Sequence, residues 1–350
     1  MHMADALLSP AVGAAMWAAS AATIAYSSKK VREDLDDRRI PLMGVLGAFI
    51  FAAQMINFTI PATGSSGHLG GGMILAALLG PYAAFLAMAS VLTVQALFFA
   101  DGGLLALGCN IFNLGFCTCF VAYPLLFKPL AGVAPTRGRL VVAALIAAVV
   151  ALQLGAFGVV MQTTASGISS LPFATFALLM QTIHLGIGIV EGLVTAAVLA
   201  FVWKARPEIL ATTRPLGAIS LKQVLIGLAL VTVFTGGVLS WFASSHPDGL
   251  EWALFQVSGR EELEGPAASL HHAAAQLQEK TSLLPDYRFK QPTGAAAVGG
   301  VPSAWPEVDA GTSVSGLVGG IFTLVLVGLV AFGLKWRRRV AAATEAGRVE

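Results

Sequence analysis

Long apolar blocks, separated by short charged segments, constrain the fold of this chain more than any other feature. Most of the blocks are close to the ~20 residues that a helix needs to cross the hydrocarbon layer of a membrane. Hydrophobic residues make up 56% of the chain and charged residues only 11%, whereas a typical soluble domain is about 25% charged. The pattern predicts an all-α polytopic protein of the lipid bilayer and excludes a soluble enzyme. The apolar blocks are 7–27, 41–60, 71–127, 140–163, 173–203, 222–243 and 314–334.

The basic residues predict the orientation of the chain. Of the 21 Lys and Arg residues, 17 lie in four segments, which we assign to the cytoplasm because cytoplasmic loops carry the excess of Lys and Arg. The other four lie at 244–313, in a loop with nine acidic residues that we place outside. The amino terminus is then outside and the carboxyl terminus cytoplasmic, in a bacterial-type plasma membrane. The four basic segments are 28–40, 128–139, 204–222 and 335–348.

The block 71–127 decides the number of crossings. Its ends are predicted on opposite sides of the membrane, and its length fits three crossings better than one. Gly80-Pro81 and Asp101-Gly102-Gly103 are the natural breaks, because Pro interrupts a helix and Gly-Gly favours a turn. The first piece, 71–80, is too short to span and is expected to be buried by its neighbours. The sequence therefore predicts nine crossings.

The nine predicted helices fall into two modules. Residues 1–205 form a seven-helix membrane domain, and 206–221 form a polar, Pro-containing cytoplasmic linker of the kind found at domain boundaries. Residues 222–336 form a two-helix module, whose helices flank the loop 244–313, here called the partner loop. Residues 337–350 form a basic cytoplasmic tail.

Motifs for phosphate chemistry are missing from the sequence. It contains no P-loop, no Rossmann glycine fingerprint and no nucleophile elbow. The net charge of +2 and the lack of a basic patch with interleaved aromatic residues argue against a nucleic-acid partner. We therefore expect neither enzymatic activity nor a resident cofactor. Energy for transport would come from an ion gradient or from another subunit.

Five ionisable residues lie in or next to the apolar blocks, where charge is expensive and each residue is a candidate for function. His184 and Glu191 are seven residues apart and share a helix face, which favours a structural contact with a neighbouring helix over metal ligation. Asp101 is predicted to cap the helix that follows it. The five residues are Asp5, His68, Asp101, His184 and Glu191.

The first two residues are the most chemically specific feature. A chain beginning Met1-His2 offers its amine, the peptide nitrogen of residue 2 and an imidazole nitrogen to one ion. These three donors lie in a plane, which indicates nickel(II) or copper(II), with cobalt(II) also possible. His68, predicted on the same side of the membrane, is a candidate for the fourth nitrogen. The alternative, that each of these histidines is an ordinary solvated side chain, stays open.

Further polar residues are candidates for contacts around such a metal site. Thr63, Ser65 and Ser66 precede His68 in a glycine-rich segment, and we expect their hydroxyls to orient its imidazole. Asp5 and Asn57 are the remaining candidates. Asp5 lies near the amino terminus and would place a carboxylate beside a cation bound there.

Four stretches of the sequence carry distinctive motifs: the start MHMADALLSP, the run 57–72 with its Gly-Ser-Ser-Gly-His-Leu-Gly-Gly-Gly, the run 95–110 with Ala-Asp-Gly-Gly, and 184–192. These stretches resemble the substrate-capture subunits of nickel and cobalt energy-coupling-factor transporters. Their spacing matches the family over residues 1 to about 205. One residue departs from the pattern: the family has Gly where this chain has Ala6, which raises the question whether the terminus enters at the same angle.

The second module resembles the small two-helix partner of the same transporters. Its loop carries the PDGLE motif of the nickel-type partner, so the two proteins are fused in one chain, which favours nickel over cobalt. The motif residues are His246, Pro247, Asp248, Gly249, Leu250 and Glu251.

The resemblance implies a metal bound by the Met1 amine, the His2 amide and imidazole nitrogens, and the His68 imidazole. It also implies a membrane coupling subunit and two cytoplasmic ATPase subunits as partners. The small residues Ala14, Ala18 and Ala22 share one face of the first helix and are a candidate contact for the coupling subunit, with internal packing as the alternative.

Three other functions stay open at this stage. One is cobalt(II) capture for cobalamin synthesis by the same mechanism. Another is a stand-alone secondary transporter for divalent cations that depends on Asp101, His184 or Glu191. The last is a membrane scaffold that binds no metal.

Overall fold

A bundle of long apolar helices forms the body of the molecule. The computed structural model describes residues 2–33, 39–206, 210, 220–266, 269–290 and 305–346. Most of the predicted linker 206–221 and the residue Met1 lie outside the described residues. The helices are α1 (Pro10–Glu33), α2 (Arg39–Gln54), α3 (Gly72–Leu79), α4 (Pro81–Phe98), α5 (Leu107–Ala131), α6 (Arg137–Ser166), α7 (Phe173–Ala205), α8 (Leu221–Gly237), α9 (Gly249–Ser258), α10 (Ser269–Thr281) and α11 (Ala310–Ala346).

Five helices of the described residues are long and apolar enough to cross a membrane: α4, α5, α6, α7 and residues Ala310–Arg339 of α11. Ile40–Gln54 in α2 and Leu221–Gly237 are shorter apolar helices. The chain is thus a mostly helical, multi-pass membrane protein, as the apolar blocks predict. The number of nine crossings stays a prediction.

The two predicted breaks in the block 71–127 are confirmed. α3 ends at Leu79, Gly80 adopts a left-handed φ of 79°, and Pro81 begins α4 as its first residue. Every residue of α3 is buried, which agrees with the expectation for a piece too short to span. α4 ends at Phe98, before the Asp101-Gly102-Gly103 turn, and α5 begins at Leu107. Its middle part, Ile111–Phe127, is a wide π-helical stretch.

Close packing between α6 and α7 is made possible by small residues. α6 buries a row of alanines, and on α7 a Cβ added to Gly192 would lie 2.7 Å from the Cα of Leu145. Gly188 meets Val149 in the same way at 3.0 Å. In lipid, where no hydrophobic effect drives helices together, such contacts supply much of the association energy.

A short antiparallel hairpin is the main departure from an all-α expectation. Phe58–Ile60 (β1) pairs with Ser65–Gly67 (β2), with Ile60 opposite Ser65. The turn uses left-handed backbone at Ala62 and Gly64. The hairpin ends one residue before His68 and so presents this residue at one end of the bundle.

The second module packs on the first through α2. Both α8 and α11 contact α2, and they approach each other so closely that a Cβ on Gly236 would lie 3.0 Å from the Cα of Gly316. α11 continues as a helix through Ala346. The predicted tail 337–350 therefore begins inside a helix, because its Arg and Ala residues have high helix propensity.

Candidate metal site

The amino-terminal arm, residues 2–8, is threaded into the end of the bundle. The Met3 side chain is fully buried, and its backbone N–H donates to Oδ1 of Asn110 at 2.8 Å. The Met3 carbonyl accepts from the Asn110 side-chain amide at 3.3 Å and from the backbone N–H of Gly103 at 2.9 Å. The Asn110 side chain therefore binds both backbone groups of Met3: it accepts from the N–H and donates to the carbonyl, as a residue of a paired strand would.

Asp5, two residues farther along the arm, packs against Gly103 and binds the backbone just before α5. Asp5 accepts a hydrogen bond from the backbone N–H of Ala106 at 2.9 Å, and a Cβ at Gly103 would overlap its carboxylate. The carboxylate thus satisfies an N–H just before α5. It is turned toward that N–H, which is a different role from the predicted contact with a bound cation. Ala6 is absent from the positive-φ residues of the described chain, so the departure from the family's Gly causes no strain there.

The arm brings His2 against His68, 66 positions away in the sequence. The two imidazole rings stack, with centroids 4.9 Å apart and planes at 14°. The His2 side chain is 7% exposed and His68 is 9% exposed. Burial lowers the pKa of both imidazoles to about 3. Both rings are therefore neutral near pH 7, which is the form that binds metals.

Asp101 contacts His2 and does not cap a helix, so the prediction made for it is wrong. Its Oδ1 lies 3.1 Å from Nδ1 of His2, and its Oδ2 accepts a hydrogen bond from the Tyr287 hydroxyl. Burial raises the pKa of this carboxyl, against the opposing effect of the Tyr287 hydrogen bond. Tyr287 is itself stacked on Phe99, with ring centroids 5.1 Å apart.

The loop after His68 is held by Glu191. The two carboxylate oxygens accept from the backbone N–H groups of Gly70 and Gly71, at 2.7 and 3.0 Å. The predicted structural role thus holds for Glu191, but its partner is the glycine loop and not a helix. Nδ1 of His68 pairs with the carbonyl of Leu69 at 3.0 Å. Because the neutral ring carries one N–H, Nε2 of His68 is the nitrogen that bears the lone pair.

The PDGLE motif begins a helix that lies against this site. Asp248 is the N-cap of α9 and accepts from the N–H groups of Leu250 and Glu251, at 2.7 and 2.9 Å. Glu251 accepts in return from the N–H of Asp248 at 2.8 Å. This reciprocal pair is a capping box. Burial acts to raise the pKa of Asp248, but electrostatic attraction from neighbouring groups, together with the hydrogen bond from the Glu251 N–H, holds that pKa below its ordinary value.

Gly249 is packed against α7. A Cβ added there would lie 3.1 to 3.2 Å from Ile183, His184 and Ile187. Nδ1 of His184 pairs with the Met180 carbonyl within its own helix at 2.8 Å, and Nε2 is buried without a hydrogen-bond partner among the described residues. His184 therefore marks where the partner loop meets the helices.

The hydroxyls before His68 hold the partner loop, which corrects the role predicted for them. The Ser66 hydroxyl donates to the backbone carbonyl of His246 at 2.8 Å, and the Ser66 backbone N–H donates to the carbonyl of Pro247 at 2.8 Å. Ser65 donates to the carbonyls of Ser66 and Pro247. The partner loop thus supplies the hydrogen-bond acceptors for the backbone and hydroxyl groups at the free edge of β2.

Thr63 and Asn57 also bind the second module. The Thr63 hydroxyl stabilises the hairpin turn through Ile60, while its carbonyl accepts from the Trp252 indole at 3.0 Å. The Asn57 carbonyl accepts from the N–H of Ser244 at 2.7 Å. The four predicted residues from 57 to 66 thus link the two modules through their hydroxyls and backbone.

A cavity of about 570 Å³ leads to the imidazole pair. Acidic side chains from both modules line it, among them Asp5, Asp101, Asp248, Glu251, Glu261 and Glu262. Such a lining attracts cations electrostatically. Within the described ranges, no group of three or more His, Cys, Asp or Glu side chains is arranged to hold a metal ion. A metal bound at His2 and His68 therefore needs further donors from backbone or terminal nitrogens.

The small-residue face of α1 is exposed. Ala14, Ala18 and Ala22 all point away from the bundle, whereas Gly13, Ser20 and Ser27 are buried. The alternative of internal packing for the alanine stripe is therefore wrong within this chain.

The fold and the site together define the chain as a multi-pass helical membrane protein with a buried imidazole pair under a cover from its second module. Residues 2–209 match the family model described as CbiM, the cobalt uptake substrate-specific transmembrane region, and residues 222–336 match the PDGLE domain. The chain belongs to the CbiM family, and its two parts together make it a nickel/cobalt transport protein of the fused type.

Relatives and solved structures agree with this assignment. A putative fused nickel transport protein NikMN of Archaeoglobus fulgidus is 32% identical over 93% of this chain and 96% of its own length. A putative metal transport protein of Haloquadratum walsbyi is 38% identical over 61% of this chain and 94% of its own length. The crystal structure of a truncated transition metal transporter aligns with a TM-score of 0.51 and 31% identity, covering 58% of this chain and 98% of that one.

Proposed function

We propose that this chain captures nickel(II) from the outer side of the membrane with its own amino terminus. The stacked pair of His2 and His68 carries the proposal. These residues meet although 66 positions separate them, and burial keeps both rings neutral. The Met1 amine and the His2 amide nitrogen would complete a set of four nitrogens, which suits a square-planar ion.

The chemistry of the chelate assigns one nitrogen on each ring. The amide nitrogen of His2 and its Nδ1 close a six-membered ring on a metal, whereas Nε2 would need a larger, strained ring. On His68 the metal would bind Nε2, because Nδ1 is engaged with the Leu69 carbonyl. Orientation of a ligating ring through its other nitrogen is typical of metal sites.

A nickel titration of the full-length protein in detergent tests this proposal. The critical variant is His2→Ala, which removes the imidazole and with it the chelate at the terminus. We expect it to lose stoichiometric nickel, and His68→Ala to bind far more weakly than wild type. A His272→Ala variant is the matched control, since this histidine is exposed on α10. Unchanged nickel binding by His2→Ala would contradict capture by the terminus.

Metal uptake would need energy from other subunits. We propose that a membrane coupling subunit docks on the exposed face of Ala14, Ala18 and Ala22, and that two cytoplasmic ATPases drive the importer. Small residues at this spacing allow close approach of a second helix in lipid. Ala14→Leu with Ala18→Leu should abolish copurification with the coupling subunit while leaving nickel binding intact. Unchanged assembly would contradict this docking face.

Nickel is the proposed cargo because the fused relative from A. fulgidus carries nickel in its name. The first module matches a family named for cobalt uptake, so cobalt is the second candidate. Competition between the two metals for the purified protein separates them. A secondary transporter that uses Glu191 as its carrier group is disfavoured, since both oxygens of that carboxylate already bind backbone N–H groups.

A further inference from the structure

Two buried polar atoms beside the proposed chelate have no hydrogen-bond partner among the described residues. They are Nε2 of His2 and Oε1 of Gln95. Gln95 is fully buried near the end of α4. Leaving such atoms unpaired costs free energy, so each of them calls for an explanation.

The direction of the Gln95 amide follows from a chain of hydrogen bonds that ends on a backbone carbonyl. Gln54 meets the carbonyl of Gly70 at 2.8 Å, and a carbonyl only accepts, so Gln54 turns its Nε2 that way. Its Oε1 then faces Gln95, whose Nε2 donates to it at 2.9 Å. The other end of the Gln95 amide, Oε1, is thereby fixed as an acceptor.

Gln95 lies beside the same site as the His2 ring. Its backbone carbonyl accepts from the N–H of Asp101 at 3.2 Å, and the Asp101 carboxylate meets Nδ1 of the His2 ring at 3.1 Å. The two unpaired atoms are therefore complementary: Oε1 accepts, and Nε2 becomes a donor whenever it carries the ring proton.

The contact with Asp101 assigns that proton to the opposite nitrogen. Nδ1 of His2 faces Oδ1 of Asp101 at 3.1 Å, so the single N–H of the neutral ring points to the carboxylate and Nε2 bears the lone pair. The proposed chelate requires the reverse arrangement. The metal takes Nδ1, and the proton must lie on Nε2.

We infer that Gln95 is a positioning residue for His2 in the metal-bound state, accepting a hydrogen bond from Nε2–H while the metal occupies Nδ1. When the metal binds, the ring N–H of His2 would donate its hydrogen bond to Gln95 and no longer to Asp101. The ring keeps one proton, because Nδ1 gives one to water and Nε2 takes one from water. The inference rests on the proposed capture by the amino terminus. Metal-bound histidines commonly donate their other ring N–H to such an acceptor.

The test uses the full chain in detergent, labelled with ¹⁵N-histidine, with nickel(II) as the probe. Square-planar nickel(II) is diamagnetic, so ¹⁵N spectra report which nitrogen of His2 is protonated. We expect the proton on Nδ1 in the metal-free protein and on Nε2 in the loaded protein. A loaded spectrum with the proton on Nδ1 overturns the inference without any mutation.

A substitution at Gln95 supplies a second test of the inference. Gln95→Met has nearly the same shape but no acceptor, and its nickel affinity should fall about 10- to 100-fold, the range for removed partners of metal ligands. Gln153→Met is the matched control, because it removes an amide that donates to the Gln181 carbonyl between α6 and α7. Gln95→Met binding nickel as tightly as wild type contradicts the inference.

His2→Ala separates the two proposals. If His2→Ala keeps wild-type nickel affinity, capture by the terminus is wrong. If His2→Ala loses nickel while Gln95→Met does not, only the role of Gln95 is wrong.

Discussion

The amino-terminal arm and the partner loop close the same site in different ways. The arm is held mainly by residues of its own module, Asn110 and Gly103 above all, with one contact from His271 of the second module to the Leu8 carbonyl at 2.9 Å, and it carries His2 into the bundle. The partner loop is held by hydroxyl and backbone contacts to the hairpin, and it brings Asp248 and Tyr287 to the rim. The arm would therefore supply ligands, whereas the loop supplies a cover.

The relatives sharpen this comparison. The putative metal transport protein of H. walsbyi aligns over 94% of its length with only 61% of this chain. If the arm provides the ligands and the loop provides the cover, damage to the arm should abolish metal binding. Damage to the loop should instead change how fast the metal enters and leaves.

The largest effect is expected from Asn110→Ala. This variant removes both hydrogen bonds to Met3 and leaves a buried N–H unpaired, which costs about 2 to 4 kcal/mol and hence lowers nickel affinity by about 30- to 1000-fold. Isothermal titration of the purified protein measures the change. Gln153→Ala is the control for a lost polar contact away from the arm. An affinity within threefold of wild type would show that the arm does not need this clamp.

Loss of Asp248 should have a smaller effect on affinity and a clear effect on rates. Asp248→Ala removes an N-cap, which costs about 1 kcal/mol in the stability of α9, and takes a carboxylate from the lining of the cavity. We expect nickel association to slow several-fold at low salt and less at high salt.

Stopped-flow measurements at two ionic strengths check the Asp248 prediction. Asp309→Ala is the control, because Asp309 lies just before α11 and its carboxylate also accepts a backbone hydrogen bond. Slower association that does not depend on salt would assign Asp248 a purely structural role.

Gly249→Ala is expected to lift the loop from α7. The added methyl group would come within 3.1 to 3.2 Å of Ile183, His184 and Ile187, so a neighbour or the loop must shift by a few tenths of an ångström. We expect faster nickel release, by about threefold, with little change in association. Gly259→Ala serves for comparison, at a position with open space but a left-handed φ of 73°. Equal release rates in wild type and Gly249→Ala would contradict a tight cover.

The sequence predicts the helical framework well because apolar blocks, Pro and Gly report directly on helices in lipid. The breaks at Gly80-Pro81 and at Asp101-Gly102-Gly103 are examples. The capping box of Asp248 and Glu251 is not among the predictions made from the sequence, although the spacing of the two residues fits it. The role of the hydroxyls before His68 could not be predicted, because it depends on which edge of a short hairpin the partner loop covers.

Contacts between distant segments account for the other differences. Asp101 was predicted to cap a helix, but the arm places His2 against it and Tyr287 reaches it from 186 residues away. Gln95 carries no signal in an isolated sequence, because a polar residue in an apolar helix is often structural. Its direction follows only from the chain of amides through Gln54 to Gly70.

Ser66→Ala should give the smallest effect and is the finest test of the comparison. The variant loses the hydroxyl contacts to His246 and Pro247 but keeps the backbone hydrogen bond from residue 66 to Pro247 at 2.8 Å. One hydrogen bond is worth about 0.5 to 1.5 kcal/mol, so the loop should open a few times more often. Nickel affinity should stay within about twofold, because the loop supplies no ligand. Hydrogen exchange of the backbone amides at 249–258 measures the opening, with α6 as the internal reference. A loss of affinity greater than tenfold would mean that the partner loop, and not the arm alone, holds the metal.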